Sequence, residues 1–283
     1  MRVPLVTPLV VPLAEAAAEE HFGGKAVQLA HALRSGLPVP EGVAVAWSTV
    51  SRLMEGDVVA HEACAGAFAA LAGHAVAVRS SAVGEDSAAA SFAGQHVTRL
   101  GIRSVETGLD ALKAVWMSGQ HPGALAYRER MGIAGVPRVG VVIQIMIDSE
   151  CAGVLFTRDP VTGDDHRVIE AAWGLGESVV SGLVDPDRYR VRRGGHVLEA
   201  IAGDKHVAIR HTGDGQTEEC PTDAADRDRL CLNQSRLGAL DDLASSCERV
   251  FGGESAHDLE WAFDRERLYL LQRRAVTSGK PAR

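Results

Sequence analysis

Lysine is scarce in this sequence. Among 29 basic residues only Lys25, Lys113, Lys205 and Lys280 are lysines, so each stands out against a bias toward arginine. Positive charge is in deficit too. A net charge of -8 argues against a general nucleic-acid binder, whose footprint is basic. It leaves room for a nucleotide site, because a few cations in a cleft set the local field. No apolar run approaches the length of a membrane span, so no membrane partner is expected. The five cysteines (Cys64, Cys151, Cys220, Cys231 and Cys247) contain no Cys-x-x-Cys pair. That indicates neither a disulfide framework nor a zinc cage, and it fits a reducing cytoplasm. Cys151 lies in an apolar run and reads as a small core residue. The N-terminal stretch carries prolines at Pro4, Pro8 and Pro12 and a single early charge, a poor match to a signal peptide. None of the eleven histidines has the Gly-rich, Ser/Thr-flanked setting of a phosphoryl-carrying nucleophile.

What is present is an ordinary globular composition, 46% hydrophobic and 23% charged over 283 residues, enough for a full core. With no internal repeat and no long linker, the chain reads as one α+β unit, residues 1–283, with two lobes near 1–135 and 136–283. Periodicity predicts a loop entering a helix over 14–35 and a strand at Val43–Trp47. An Ala-rich helix follows at 59–72, and a strand over Val76–Ser81. Residues 82–95 are a small-residue loop, 97–102 a strand, and 105–132 helical around Trp116 and Tyr127. Beyond 139 the period shortens, giving strands at 140–147, 153–157 and 168–172, with turn chemistry at Asp159–Asp164. A helical stretch over 174–182, a hairpin over 188–210 through Gly194-Gly195, a polar loop at 213–227 and a helix at 234–251 complete the pattern.

The closing segment is the most informative. Asp258-Leu259-Glu260-Trp261 and Leu268 to Arg274 read as two strands joined by a polar turn. Such a hairpin makes Glu260, Gln272 and Arg274 neighbours, and Gln272 and Arg274 share a face because they are two apart. A carboxylate, an amide oxygen and a guanidinium on one face suit a magnesium-bound polyphosphate. Taken alone, an exposed hairpin with a Glu–Arg ion pair explains the segment at least as well.

Other segments move the balance toward phosphate. Gly23-Gly24-Lys25 at a helix mouth offers backbone N–H groups and an ammonium, although the full P-loop spacing is missing. Arg79-Ser80-Ser81 ends a strand, and the loop through Ser91-Phe92-Ala93-Gly94-Gln95 can fold over a polyphosphate with backbone donors. An Arg79 ion pair to Glu85 or Asp86 is the simpler alternative. Gln144 sits in a run that pattern alone makes a core strand. Structure and ligand contact explain the glycines of Trp173-Gly174-Leu175-Gly176-Glu177 equally well.

In this order the segments resemble the N-terminal ATP-grasp domain of the phosphoenolpyruvate synthase, pyruvate phosphate dikinase and rifampicin phosphotransferase family. They are Gly23 to Ala26, Gly36 to Gly42, Val78 to Ala82 with Ser91 to Gln95, and Gly153 to Thr157. Trp173 to Glu177 with Val184 to Asp187, Asp258 to Trp261 and Leu271 to Arg274 complete the set, which spans nearly the whole chain. The resemblance implies an ATP-grasp fold with the nucleotide in a cleft between two lobes. It implies ATP and Mg2+ as cofactors, with Lys25 and Arg79 on phosphate oxygens. Gly94 and Thr98 would belong to the covering loop and strand, and Gln144, Met146 and Ile147 to an adenine-side hinge strand. Glu260 and Gln272 would bind the metal, and Arg274 the phosphate in transfer. Lys25, Arg79 and Arg274 are thus the expected catalytic cations.

The sequence runs to Arg283, just past the hairpin, and a swivelling phosphohistidine domain of that family is not expected within it. The span between Gly42 and Arg79 is short, and Ala275 stands where a proline is usual. The expected function is Mg-ATP-dependent phosphoryl transfer to a histidine on a separate domain or protein, leaving AMP and phosphate. The alternatives are a stand-alone kinase acting directly on a small-molecule acceptor, and a non-catalytic nucleotide-binding module.

Overall fold

Valine-rich runs and small residues build two antiparallel sheets in the computed structural model, which describes residues 9–84, 97–123, 125, 137–212, 216–253 and 255–276. The chain divides into two compact units. One comprises residues 1–31 and 41–146, the other residues 32–40 and 147–283.

In the first unit the strand order is β1 (Val10–Pro12), β2 (Gly42–Val45), β5 (Val139–Ile145), β3 (Val76–Ala82), β4 (Thr98–Ile102). The sequence Val-Gly-Val-Val-Ile-Gln-Ile of β5 is buried on both faces up to Gln144, and it holds a central place between β2 and β3. A strand covered on both sides needs a nearly continuous apolar run, and β5 supplies one. Before β2 lie the short α1 (Glu19–Phe22) and α2 (Gly24–Arg34). Three longer helices, α3 (Trp47–Met54), α4 (Val58–Ala69) and α5 (Val105–Gly119), cover one face. Val50, Leu53, Phe68, Leu112 and Val115 from these helices join Val76, Val78, Val141 and Ile143 in one core cluster. Asp57 and Ser104 start α4 and α5 by accepting the Ala60 and Thr107 N–H groups at 2.8 and 3.1 Å, which satisfies donors that a helix start leaves open.

The second unit holds a six-stranded sheet in the order β13 (Arg267–Ala275), β12 (His257–Asp264), β6 (Cys151–Phe156), β7 (His166–Trp173), β8 (Asp187–Arg192), β9 (His196–Ile201). After β6 and β7 comes the four-residue α6 (Glu177–Val180). A separate hairpin, β10 (Val207–His211) with β11 (Thr217–Pro221), and the short α7 (Ala224–Arg227) lead to α8 (Gln234–Phe251). Leu237, Leu240, Leu243, Ala244 and Cys247 are buried along α8, the i, i+3, i+7 stripe expected of a helix laid on a sheet. Residues 32–40 join this unit, and Leu270 N–H donates to Pro38 O at 2.9 Å.

Buried charge is paired. Arg167 on β7, fully buried, donates to Asp241 at 2.8 Å and Glu248 at 2.9 Å on α8. Lys205 and Asp187 form a second fully buried pair, and Asp187 also accepts the Gly203 and Cys231 N–H groups. Removing one partner of either pair would strand the other charge in a low-dielectric setting.

Several expectations need correcting. Trp47 begins α3 rather than ending a strand, and its indole N–H donates to Glu20 O at 2.8 Å. The polar stretch 213–227 contains a strand and a helical turn, β11 and α7, because β11 pairs with the neighbouring β10 in a hairpin that its own polar composition does not reveal. Residues 207–211 pair with β11 and not within the preceding hairpin. Strand β5 ends at Ile145, so Met146 and Ile147 follow the strand. Helix 234–251 matches its expected span and the second strand of the closing hairpin does so within one residue, whereas β12 runs three residues past Trp261 to Asp264 and narrows the expected turn to Arg265-Glu266. The loop over 82–95 and the end of the helical stretch beyond 125 lie largely outside the described residues.

Candidate nucleotide and metal site

In the second unit the relevant chemistry is concentrated on β12 and β13. Glu260 stands opposite Gln272, and Asp258 opposite Arg274. Alternation along both strands therefore puts all four side chains on one face, while Leu259 and Trp261 take the other. The apolar set is forced inward: Leu259, Trp261 and Leu270 are fully buried, with Trp261 edge-on to Phe263 at 5.6 Å. A register shift between Glu260 and Trp261 pairs Trp261 with Leu270 and leaves Leu271 as the extra residue. Such bulges bend a strand and re-aim side chains, often beside functional sites.

The four polar groups differ in exposure. Arg274 and Glu260 keep 40% and 23% of their side-chain surface, with Nη2 and Oε1 4.0 Å apart, whereas Gln272 is buried. Asp258 was passed over in the sequence, where it read as the first residue of an ordinary strand. Its Oδ1 is buried and makes no hydrogen bond among the described residues. Burial pushes the Asp258 carboxyl up to about 6, the Glu260 charge adds to the rise, and Arg274 opposes it. A buried carboxylate oxygen without a donor is costly unless something outside the chain meets it. The one sequence signal for it was the spacing Asp-x-Glu facing Gln-x-Arg.

Magnesium fits this set. It takes hard oxygens, uses one or two carboxylates, and completes its shell with water and substrate phosphates. Asp258 and Glu260 supply carboxylates and Gln272 an amide oxygen. Among the described residues no three His, Cys, Asp or Glu side chains converge as a metal cage, so the ion would need nucleotide oxygens to complete its coordination.

In the first unit Lys25, Arg79, Thr98 and Gln144 gather around β3 and β5. Arg79 stands between Thr98 on β4 and Val142 on β5. Lys25 is buried, and its Nζ donates to Ser80 O at 2.8 Å. Gly23 has φ +79°, and a Cβ there would lie 2.0 Å from Ser81 O. The start of α2 is thus pressed against β3, and the Ala26 N–H is taken by Ser81 Oγ at 3.0 Å. The N–H groups expected to be open at this helix mouth are in part already used by the protein. Gln144 is buried between Gly42 and Ala77, and Met146 N–H donates to Ala75 O at 2.9 Å. Gly94 lies outside the described residues. Gly174, with φ +78° and a Cβ position 2.3 Å from Ile209 O, is required by packing, which decides the glycine question for that position.

The chain is 40% identical over 72% of its length to the probable phosphoenolpyruvate synthase of Methanothermobacter thermautotrophicus, covering 30% of that protein. It is 38% identical over 78% of its length to a rifampicin phosphotransferase of a Streptomyces species, covering 26% of it. It is 33% identical over 92% of its length to the prodigiosin synthesizing transferase PigC of Serratia marcescens, covering 32% of it. The chain spans about a third of the length of such relatives or less. Residues 60–283 match the family described as pyruvate phosphate dikinase, AMP/ATP-binding domain, and the chain belongs to that family.

Proposed function

We propose that this chain is the Mg-ATP-binding part of a phosphotransferase that passes a phosphoryl group from ATP to a histidine on a separate domain or protein. One phosphoryl group goes to that histidine and one to water, leaving AMP and phosphate. The observation that carries the reading is the convergence of Asp258, Glu260, Gln272 and Arg274 on one face, with a buried Asp258 oxygen lacking a donor among the described residues. Asp258, Glu260 and Gln272 would hold the ion. When bound, magnesium neutralises phosphate charge and orients the oxygens between which the phosphoryl group passes.

The protein's own groups supply the rest. Arg274, half exposed beside Glu260, presents a planar fork of donors suited to a phosphoryl group whose charge spreads in the transition state. Glu260 keeps that guanidinium aimed along the hairpin, so little reorganisation is needed as charge develops. Lys25 and Arg79 belong to this reading as further phosphate cations, Lys25 fixed by its bond to Ser80 O. In the same reading Thr98 would cover the phosphates, and Gln144, Met146 and Ile147 would lie on the adenine side.

The similarity to the prodigiosin synthesizing transferase PigC favours a second reading, in which a small molecule accepts the phosphoryl group directly. Product analysis separates the two. Incubation with Mg-ATP, with and without candidate acceptors, should give AMP and phosphate under the first reading. ADP as the sole product would support the second. ATP binding with no turnover, even with a phosphohistidine domain of the family among the acceptors, would overturn both in favour of a non-catalytic module; without that domain, the partner-dependent and non-catalytic readings stand together. Glu260→Ala should abolish Mg-dependent turnover while leaving the fold intact, and normal turnover would remove Glu260 from the metal set.

A further inference from the structure

Gln272 and Arg274 lie near the end of β13, which among the described residues is the edge strand of its sheet, next to β12. The bulge at Leu271 interrupts the ladder just before them. β13 thus lies at the sheet edge, with the Leu270 N–H donating to Pro38 O at 2.9 Å ahead of the bulge, and strand ends are where structure opens most easily. Arg273, between the two, points to the opposite face and is buried.

There Arg273 meets His257, the first residue of β12. Its Nε lies 3.2 Å and its Nη2 2.7 Å from His257 Nδ1. A guanidinium cannot give up its proton, so Nδ1 is the acceptor and the ring proton sits on Nε2. His257 Nε2 accordingly donates to Gly252 O at 2.7 Å. The Arg273 guanidinium also lies over the Phe251 ring, 4.5 Å from its centroid. Phe251 is the last residue of α8 and Gly252 its C-cap. Arg273 and His257 thus stitch the end of β13 and the start of β12 to the end of α8. Each lies one residue from a member of the open-face set, Arg273 beside both Gln272 and Arg274, and His257 beside Asp258.

We propose that Arg273 is a positioning residue: through His257 and Phe251 it fixes the segment that presents Gln272 and Arg274 opposite Glu260 and Asp258. The inference rests on the magnesium-nucleotide reading above and deepens it. Displacements of about 1 Å in a supporting group are enough to spoil such a set, and partners behind metal-binding side chains typically matter by about tenfold or more.

The test is calorimetric titration with ADP, in Mg2+ and in EDTA, on wild type, Arg273→Met and Arg273→Lys, with melting temperatures taken in parallel. The expected result is that Arg273→Met loses about tenfold of the affinity gain that Mg2+ confers. Its EDTA affinity should stay within about twofold of wild type, since without the ion this face offers the nucleotide only Arg274, whose charge serves transfer more than binding. His257→Gln, whose amide oxygen still accepts from Arg273, should retain most of the gain. An unchanged Mg2+ gain in Arg273→Met would overturn the proposal, and so would equal losses in Mg2+ and EDTA, which indicate packing alone. Should Arg273→Met fail to fold, Arg273→Lys carries the same comparison, because it keeps the charge and loses the fork. A wild-type protein with no Mg2+ gain would count against the functional reading itself, independently of Arg273.

Discussion

Arg274 lies directly opposite Asp258 across the closing hairpin, yet its guanidinium approaches Glu260, with Nη2 4.0 Å from Oε1. That diagonal leaves the buried Asp258 oxygen without a donor among the described residues. An arrangement built only for stability would close that bond, because an unmet buried acceptor costs about 1–3 kcal/mol. The gap in the hydrogen bonding is therefore the best pointer to a ligand.

Arg274→Ala should slow phosphoryl transfer by about 100-fold or more while changing ATP affinity only a few-fold. Single-turnover rates and equilibrium binding, measured on the same preparation, check this. Equal losses in both would reduce Arg274 to a binding group.

Asp258→Asn should make the ligand-free protein more stable at pH 7.5. The folded-state pKa is raised to about 6 from an ordinary 3.8, so the folded state holds the proton more tightly. The penalty is absent below the ordinary value, grows as pH rises through about 6, and is fully present above it. Replacing the carboxylate should recover about 1–2 kcal/mol at that pH. The same variant should lose the extra thermal stabilisation that ADP gains from Mg2+. Differential scanning calorimetry with and without Mg-ADP reads both effects, and a destabilised ligand-free variant would contradict the account.

Gly23→Ala should destabilise by about 2 kcal/mol or more, since it combines a left-handed backbone with a Cβ driven into Ser81 O. Gly182→Ala is the comparison: its φ is +69° but nothing lies within 4 Å of the added Cβ, so about 1 kcal/mol is expected. Urea unfolding of the pair separates backbone strain from the close approach.

Acid should weaken the second unit through Glu248. Burial alone would raise this carboxyl, but the forks of Arg193 and Arg167 hold it at about 2, against an ordinary 4.5. Their bonds to its two oxygens run from 2.7 to 3.1 Å. A depressed folded-state pKa contributes stability above the ordinary value, and that stability is lost as pH falls from about 4.5 toward 2. On the order of 2 kcal/mol should disappear over this window. Glu248→Gln should begin lower and show a flatter profile, as urea titrations between pH 6 and pH 2 would reveal.

Much of this was legible in the residues. The alternation Leu259, Trp261, Phe263 against Asp258, Glu260 fixes which face of β12 is buried, because period-two burial leaves no other choice. The stripe Leu237, Leu240, Leu243, Cys247 likewise set α8 to its observed span. Trp47 was misplaced because a strand-like approach through Val43 to Ala46 hides a helix start that has no side-chain cap. Strand β11 was missed because Thr217–Pro221 is mostly polar and gains its order only by pairing with β10.

The sequence by itself carried the resemblance to the family, through several motifs in one order, and it determined the adjacency of Glu260, Gln272 and Arg274 and the buried faces, since these follow from local spacing and side-chain alternation. Only the tertiary structure decided three further things. The Ala26 N–H at the helix mouth is taken by Ser81, Asp258 Oδ1 is buried without a donor among the described residues, and Arg273 and His257 back the open-face set. Each depends on which groups burial brings together across distant positions, and desolvation and hydrogen bonding act through that proximity and not through order along the chain.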